Sequence, residues 1–431
     1  MFVLNFNKKC AILCYINPCE VPMINIAILG FGVVGGGITE VINMNKDKLR
    51  QYVGDDIYVK KILDLRDFPD SPYGDRVVHD ISEIVNDDEI TLVCETMGGV
   101  NPAFDFSIAL MNRGKSMVTA NKELVAKKGI ELMNCARENG VHYFFEPSVG
   151  GGIHEIRGMR TSLAGDTITE IDGILNGTTN YILTRMKREG VDFTSTLKDA
   201  QRLGYAEANP AADVDGLDAQ RKIMILTAVA TGYLCEEKDV YCETMTKLTP
   251  ADIDAAKRWG GAVKLLGSSR IREDGCALYV APFFVPEASP LCFVEDVYNA
   301  IRIVSPVTGD VMFYGRGAGR MPTAGAVVAD VAAILSGLAD KEKKCQWQAA
   351  PEGYVKPFGE NKFSYYVRVK TDSVSDTLEA AGLAFGAVKA LDGSPAGFCE
   401  LITDEIAENT AQAVFAGEAL GVVESVIRIL K

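Results

Sequence analysis

The densest run of chemically capable side chains is Asp213-Val-Asp-Gly-Leu-Asp-Ala-Gln-Arg-Lys222, which follows Leu203-Gly-Tyr-Ala-Glu-Ala-Asn-Pro210. Glu207, Asp213 and Asp218 supply carboxylates suited to an ammonium group, and Lys222 lies one helical turn beyond Asp218. On an exposed helix such an i,i+4 pair is a surface bridge worth about 0.3–0.5 kcal/mol. Here the next segment, Ile223-Met-Ile-Leu-Thr-Ala-Val-Ala230, is almost uniformly apolar, so the helix that starts with this pair runs into a core. A lysine held at the mouth of such a helix beside carboxylates is suited to give and take a proton. A second lysine, Lys122, falls in Thr119-Ala-Asn-Lys-Glu123, where a strand is expected to leave its sheet. The carboxyl edge of a doubly wound sheet is where ligands bind, so Lys122 would face cofactor and substrate, although a lysine by itself reads equally as a solvated charge.

A third constellation precedes both. Gly30, Gly32 and Gly35 form GxGxxG directly after the apolar run Met23-Ile-Asn-Ile-Ala-Ile-Leu29 and before the apolar-periodic stretch through Ile38, Val41 and Ile42. In that setting the first glycine permits a tight turn, the second lets backbone approach a pyrophosphate, and the third allows close helix–strand contact. The ribose-reading position is expected at the end of the next strand, in Leu63-Asp-Leu-Arg-Asp67. Asp64 there would suit a ribose diol (NAD) and Arg66 a 2′-phosphate (NADP), and the two remain open.

These side chains need elements to hold them. Strands are predicted at 23–29, 57–63, 90–94, 116–119 and 142–145, alternating with helices at 102–113 and 123–139. That alternation defines an α/β, Rossmann-type doubly wound domain over 23–150, completed by an Ala/Val-rich helix at 321–338. Residues 151–320 read as an α+β catalytic and dimerisation domain, with strands at 167–175 and 277–285 and helices at 180–188, 195–202 and 216–232. A small α+β unit over 355–431 is predicted from the strand-like 362–370 and 423–430 and the helical 376–384. Residues 1–22, with Lys8 and Lys9 before a short apolar run, read as an N-terminal extension.

Composition narrows the function. With 44 Lys and Arg against 58 Asp and Glu, the net charge of −14 argues against sequence-independent nucleic-acid binding. The 11 cysteines form no CxxC pair and only three histidines are present, which favours reduced, cytoplasmic thiols over a disulfide framework or a zinc site. No run reaches the roughly 18 apolar residues of a membrane span.

Taken in order, Gly30–Gly37, Thr119–Glu123, Gly173-Ile-Leu-Asn-Gly-Thr-Thr-Asn180, Leu203–Pro210, Asp213–Lys222 and Gly315-Arg-Gly-Ala-Gly-Arg-Met-Pro-Thr-Ala324 resemble the homoserine dehydrogenase family over about 23–340. The resemblance implies NAD(P)-dependent interconversion of L-aspartate 4-semialdehyde and L-homoserine, on the route to threonine, methionine and isoleucine. It implies Lys222 as proton donor and acceptor, Lys122 as a second catalytic lysine, and Glu207, Asp218 and Asp213 at the substrate. Besides Gly30, Gly32 and Gly35, the residues Phe31, Val33, Val34, Thr96, Lys122, Gly204 and Gly319 map to cofactor-contacting positions. The family also holds a monovalent cation, commonly sodium, which here would meet Glu146 and the backbone carbonyls of Val149, Gly151 and Ile153. A homodimer or homotetramer is expected. The last segment resembles the ACT regulatory domain through which threonine often acts, but Lys370-Thr-Asp-Ser-Val-Ser-Asp376 lacks the Pro-Gly turn usual before the first helix of such domains.

Two other readings compete. A semialdehyde dehydrogenase that forms a thioester needs a cysteine nucleophile, and Cys94 and Cys135 fall in a predicted strand and a predicted helix without catalytic neighbours. A non-catalytic, NAD(P)- and amino-acid-sensing regulator would have no use for Lys122 and Lys222.

Overall fold

The computed structural model describes residues 23–206, 209–338, 346–417 and 419–431. The expected extension over 1–22 and the substrate position Glu207 lie outside the described residues.

Six parallel strands form the first sheet: β1 (Met23–Leu29), β2 (Asp56–Leu63), β3 (Val77–Val78), β4 (Ile90–Glu95), β5 (Ser116–Thr119) and β6 (Tyr143–Phe144), in the order β3-β2-β1-β4-β5-β6. β1 pairs with β2 on one side and β4 on the other, which is why Ile26, Ala27, Ile28 and Leu29 are all fully buried and the strand reads as an unbroken apolar run. Strand order reverses between β1 and β4, so the crevice of this sheet opens above their carboxyl ends. Gly30 and Thr96 directly follow β1 and β4, and Lys122 stands three residues beyond the end of β5.

The glycine turn is built by contact as well as by torsion. Gly30 has φ +89°, a conformation that side-chain-bearing residues rarely adopt. A β-carbon on Gly35 would sit 2.0 Å from the Gly30 carbonyl oxygen, so the helix Val33–Met44 rests directly on the turn. On its other face, Gly37 meets the backbone of Arg320 and the methyl of Ala324 in the helix Arg320–Leu335, which closes this layer over the sheet.

Several helices have no counterpart among the sequence-based expectations, among them Pro250–Trp259, Glu408–Phe415 and Lys46–Val53, the last in a stretch those expectations treat as connection. Lys46–Val53 buries none of its residues, so no apolar stripe marks it.

The second sheet is mixed. It runs from Gly309–Arg316 through Tyr298–Ser305, β7 (Glu170–Ile174), Gly261–Arg272 and Gly275–Pro286. The helix Leu217–Thr231 lies on it, with Ala219 and Ile223 against Gly267. The arm Gly261–Arg272 is buried along most of its length yet mixes Gly, Lys and Ser with apolar residues, so its sequence carries no strand alternation.

Beyond Gly275–Pro286 the sheet continues into the C-terminal unit, through a short parallel pairing of Phe283 and Phe284 with Arg428 and Ile429. That unit has the order strand Lys362–Lys370, helix Val374–Phe385, strands Val388–Ala390 and Phe398–Thr403, helix Glu408–Phe415 and strand Val422–Ile429. Its strands stand last-first-third-second. Buried Arg428 bonds Glu408 from within the unit and Glu243 from outside it, and the Phe284 and Tyr366 rings stack at 4.6 Å across the junction. No helix among the described residues is long and apolar enough to cross a membrane.

Candidate active site

The site begins at the carboxyl end of the first sheet. Thr96 donates its hydroxyl to the Gly30 carbonyl at 2.8 Å, and its N–H meets the Leu29 carbonyl at 2.9 Å, which ties the glycine turn to β4. Phe31 N–H donates to Asp64 Oδ2 at 2.7 Å. Arg66 forks onto the same carboxylate at 3.0 Å through Nε and Nη2, and that guanidinium holds the Asp64 carboxyl down to about 2. The Arg66 guanidinium lies 5.1 Å over the Phe68 ring, whose edge meets Phe31. Arg66 is thus a cation held in place at the nucleotide-reading corner, with 64% of its side chain exposed. Gly32 is the N-cap of the following helix and offers no side chain to its first N–H groups, which leaves them for an anion.

Buried Glu95 organises the loop after β4. It accepts the Thr119 hydroxyl at 2.5 Å and the Met97 N–H at 2.8 Å, and burial pushes its carboxyl upward. Asn121 then caps the helix Lys122–Glu138, accepting the Leu124 N–H at 3.1 Å, while its amide donates to the Gly99 carbonyl at 2.5 Å. Lys122 is the first residue of that helix and leaves it toward the second sheet.

There the two lysines meet. Asp218 Oδ1 lies 2.8 Å from Lys122 Nζ, and Asp218 Oδ2 lies 2.7 Å from Lys222 Nζ. Burial would raise the Asp218 carboxyl, but the Lys222 and Lys122 ammonium groups outweigh it and hold it well below the usual carboxylate range. Burial likewise disfavours charge on Lys122, yet the attraction and hydrogen bond of Asp218 leave its pKa above the ordinary lysine value. Lys222 also donates to the Leu175 carbonyl at 2.7 Å. Two of its three N–H groups are therefore engaged among the described residues, and the third is available to a ligand oxygen. Lys122 keeps 40% of its side chain exposed against 10% for Lys222, so the cleft opens on the Lys122 side.

Asn176 completes the cluster. Its Oδ1 caps the helix Gly177–Glu189 through the Thr179 N–H at 2.9 Å, and its Nδ2 donates to Asp213 at 2.8 Å and to Asp218 at 3.0 Å. Burial pushes the Asp213 carboxyl upward, and this bond offsets part of the effect. Gly204, with φ +77°, precedes Tyr205, whose carbonyl accepts the Thr178 hydroxyl. Arg221 joins Glu237 and Glu123 and so links the helices that carry the two lysines.

Sequence reasoning left Asn176, the Leu175 carbonyl and Glu95 without roles. The Asn-Gly-Thr-Thr run signals a helix cap, but neither the second use of that amide nor a backbone carbonyl has a sequence signature.

Glu146 follows β6. Its carboxylate accepts the Ile156 N–H at 2.9 Å and the Arg157 N–H at 2.7 Å, and its own N–H meets Asp330 at 3.0 Å. The loop beyond it is left-handed at Gly150, Gly151 and His154. It leans on the Gly319 region: a β-carbon on Gly151 would lie 2.5 Å from the Gly317 carbonyl oxygen, and one on Gly152 would strike Pro322. Ile153 N–H occupies the Gly150 carbonyl, while among the described residues no backbone hydrogen bond outside helices and strands ends on the carbonyls of Val149, Gly151 or Ile153. No cluster of three or more His, Cys, Asp or Glu side chains among the described residues is arranged around a metal, so any ion here rests partly on backbone oxygens. The thiol of Cys94 is fully buried and pushed well above its ordinary value by burial, which makes it inert as a nucleophile.

A Rossmann-like sheet whose crevice leads to two ammonium groups sharing one buried carboxylate defines a nicotinamide-dependent oxidoreductase acting on a carbonyl–alcohol pair. The chain matches the family profiles described as homoserine dehydrogenase, over residues 155–332, and homoserine dehydrogenase, NAD binding domain, over residues 30–146. It is 35% identical over 430 residues to the homoserine dehydrogenase of Neisseria gonorrhoeae, covering 95% of this chain and 98% of that one. The crystal structure of a homoserine dehydrogenase from Thiobacillus denitrificans superposes with a TM-score of 0.84 at 33% identity, covering 95% of this chain and 99% of that one. A hyperthermophilic archaeal homoserine dehydrogenase in complex with NADPH superposes at 0.62 with 26% identity, over 73% of this chain and 98% of its own. The chain belongs to the homoserine dehydrogenase family and is an oxidoreductase with a nicotinamide-nucleotide domain.

Proposed function

We propose that Lys222 gives the proton to the carbonyl oxygen of L-aspartate 4-semialdehyde and removes it from the hydroxyl of L-homoserine in the reverse direction, while Lys122 stabilises the developing alkoxide. A bound nicotinamide supplies or accepts the hydride. The reading is carried by one observation: a single carboxylate, Asp218, receives both lysines on its two oxygens. An ammonium both neutralises O⁻ and can donate a proton, and in a largely buried site its effect is not diluted by water. The sequence reading put Asp218 among the substrate ligands. With both oxygens engaged and only 8% of its side chain exposed, it acts on the substrate through the lysines and is a positioning residue. Asp213 and Glu207 remain to meet the substrate ammonium.

Arg66 reads the 2′-phosphate of NADP, since Asp64 is engaged by Phe31 and by Arg66 itself. The archaeal relative bound to NADPH is in keeping with this preference. Homoserine-dependent reduction of NADP and NAD, measured side by side, tests both proposals. NADP is expected to be preferred, and Arg66→Ala to raise the KM for NADP about 10- to 100-fold, the worth of one charge-assisted contact, while leaving that for NAD nearly unchanged. No homoserine-dependent turnover with either nucleotide overturns the catalytic reading. An unaltered KM for NADP in the variant overturns the role of Arg66.

Glu146 with the carbonyls of Val149, Gly151 and Ile153 fits a hard monovalent cation such as sodium, because a buried carboxylate and carbonyls on which, among the described residues, no backbone bond outside helices and strands ends are the oxygen donors such ions take. The ion's part is to brace the loop that touches Gly317 and Pro322 beside the nucleotide crevice.

A further inference from the structure

Between the glycine turn and Lys122 stands a carboxylate that the proton and hydride steps do not use. Glu95 is the last residue of β4, beside the point where strand order reverses, and it is fully buried. The groups bonded to it are all donors. The Thr119 hydroxyl meets one oxygen at 2.5 Å, the Met97 and Gly98 N–H groups meet the other at 2.8 and 3.4 Å, and the Asn121 side chain adds to the set. No lysine or arginine is among these partners. A carboxylate enclosed without a cation is costly to keep, which directs attention to what it joins.

It joins two loops of the crevice. On one side Met97 lies against the glycine turn, since a β-carbon on Gly30 would fall 3.2 Å from the Met97 N and Cα. On the other side the Thr119 hydroxyl accepts the Asn121 N–H at 3.0 Å, and Asn121 caps the helix that begins with Lys122. The Asn121 amide closes the ring on the Gly99 carbonyl. The path from the turn beneath the nucleotide to the backbone of Lys122 thus runs through both oxygens of one side chain. A carboxylate suits this place because it offers an acceptor on each side and no donor. Glutamine would turn an NH2 group on one of them: toward Met97 two donors would collide, and toward Thr119 the hydroxyl hydrogen would lose its acceptor.

We propose that Glu95 is a positioning residue for the reaction, which fixes the distance between the nicotinamide and the Lys122 ammonium by locking the loop after β4 to the start of the Lys122 helix. The inference rests on Lys122 acting at the carbonyl oxygen, and the experiment separates the two claims. Single-turnover hydride transfer from homoserine to NADP is measured in full-length wild type, Glu95→Gln, Lys122→Met and the double variant, each well below its melting temperature. Glu95→Gln is expected to slow transfer about 10- to 100-fold, the cost of a misplacement on the order of 1 Å, while KM for homoserine changes by no more than about threefold. In the Lys122→Met background the same substitution should cost no more than about twofold, because no ammonium is left to misplace. A general weakening of the fold would slow both backgrounds alike, so the comparison reads positioning. Should Glu95→Gln fail to fold, Thr119→Val carries the test. It keeps the side-chain shape and the bonds of Glu95 to Met97 and Gly98, cuts the link to β5, and should show the same dependence on Lys122.

Transfer in Glu95→Gln within about threefold of wild type, or an equal loss in both backgrounds, overturns the positioning role, as it does for Thr119→Val if that variant carries the test. A raised KM for NADP with unaltered transfer places Glu95 in nucleotide binding and overturns it as well. A Lys122→Met variant that transfers hydride as fast as wild type removes the reading of Lys122 and this inference together.

Discussion

Lys222→Met is expected to lower kcat for homoserine oxidation by about 10³- to 10⁴-fold while KM for homoserine changes by no more than about threefold, because a general acid–base group acts in the transition state and contributes little to ground-state binding. The fold should tolerate the change. Asp218 keeps Lys122 and Asn176 as partners, and the side chain removed is followed by an apolar helix that accepts methionine. Steady-state kinetics alongside a melting curve checks both parts. A variant that turns over at a tenth of the wild-type rate or faster would remove Lys222 from proton transfer.

Asp218→Asn is expected to cost about 3–5 kcal/mol of stability as well as activity, because it leaves two ammonium groups converging on a neutral amide in a largely buried site. The pH dependence follows from the directions of the two shifts. The Asp218 carboxyl is depressed in the folded chain relative to its ordinary 3.8, so its contribution is fully present above that value and is lost as pH falls below it. Lys122 is raised above 10.5, so its share is fully present below 10.5 and is lost as pH climbs through the folded value. The difference between wild type and variant in urea denaturation should therefore be flat between about pH 5 and pH 10 and shrink outside that window. Equal stability of the two proteins at pH 7 would mean that Asp218 is not what holds the lysines together.

The nucleotide half of the fold was legible because its constraints are local: a strand buried on both faces reads as an apolar run, and Gly35 stands where a β-carbon would strike the turn. Lys222 was legible for a related reason. An acid one turn before a lysine, just ahead of eight mostly apolar residues, conflicts with a solvated surface bridge. What stayed hidden depends on partners distant in sequence or on groups with no sequence signature. Asn176 looks like a helix cap and is one, yet its amide also reaches Asp213 and Asp218, 37 and 42 residues away. Leu175 acts through its carbonyl. The arm Gly261–Arg272 carries no alternation because both its faces are covered, and the helix Lys46–Val53 buries nothing.

The claim beneath the catalytic account is that Lys122 and Lys222 serve one oxygen atom. Single-turnover hydride transfer in Lys122→Met, Lys222→Met and the double variant measures this directly, since groups acting as a unit are not additive. The account predicts a double variant within about threefold of the slower single variant. Losses that multiply, so that the double variant is slower by the product of the two single factors, would contradict it.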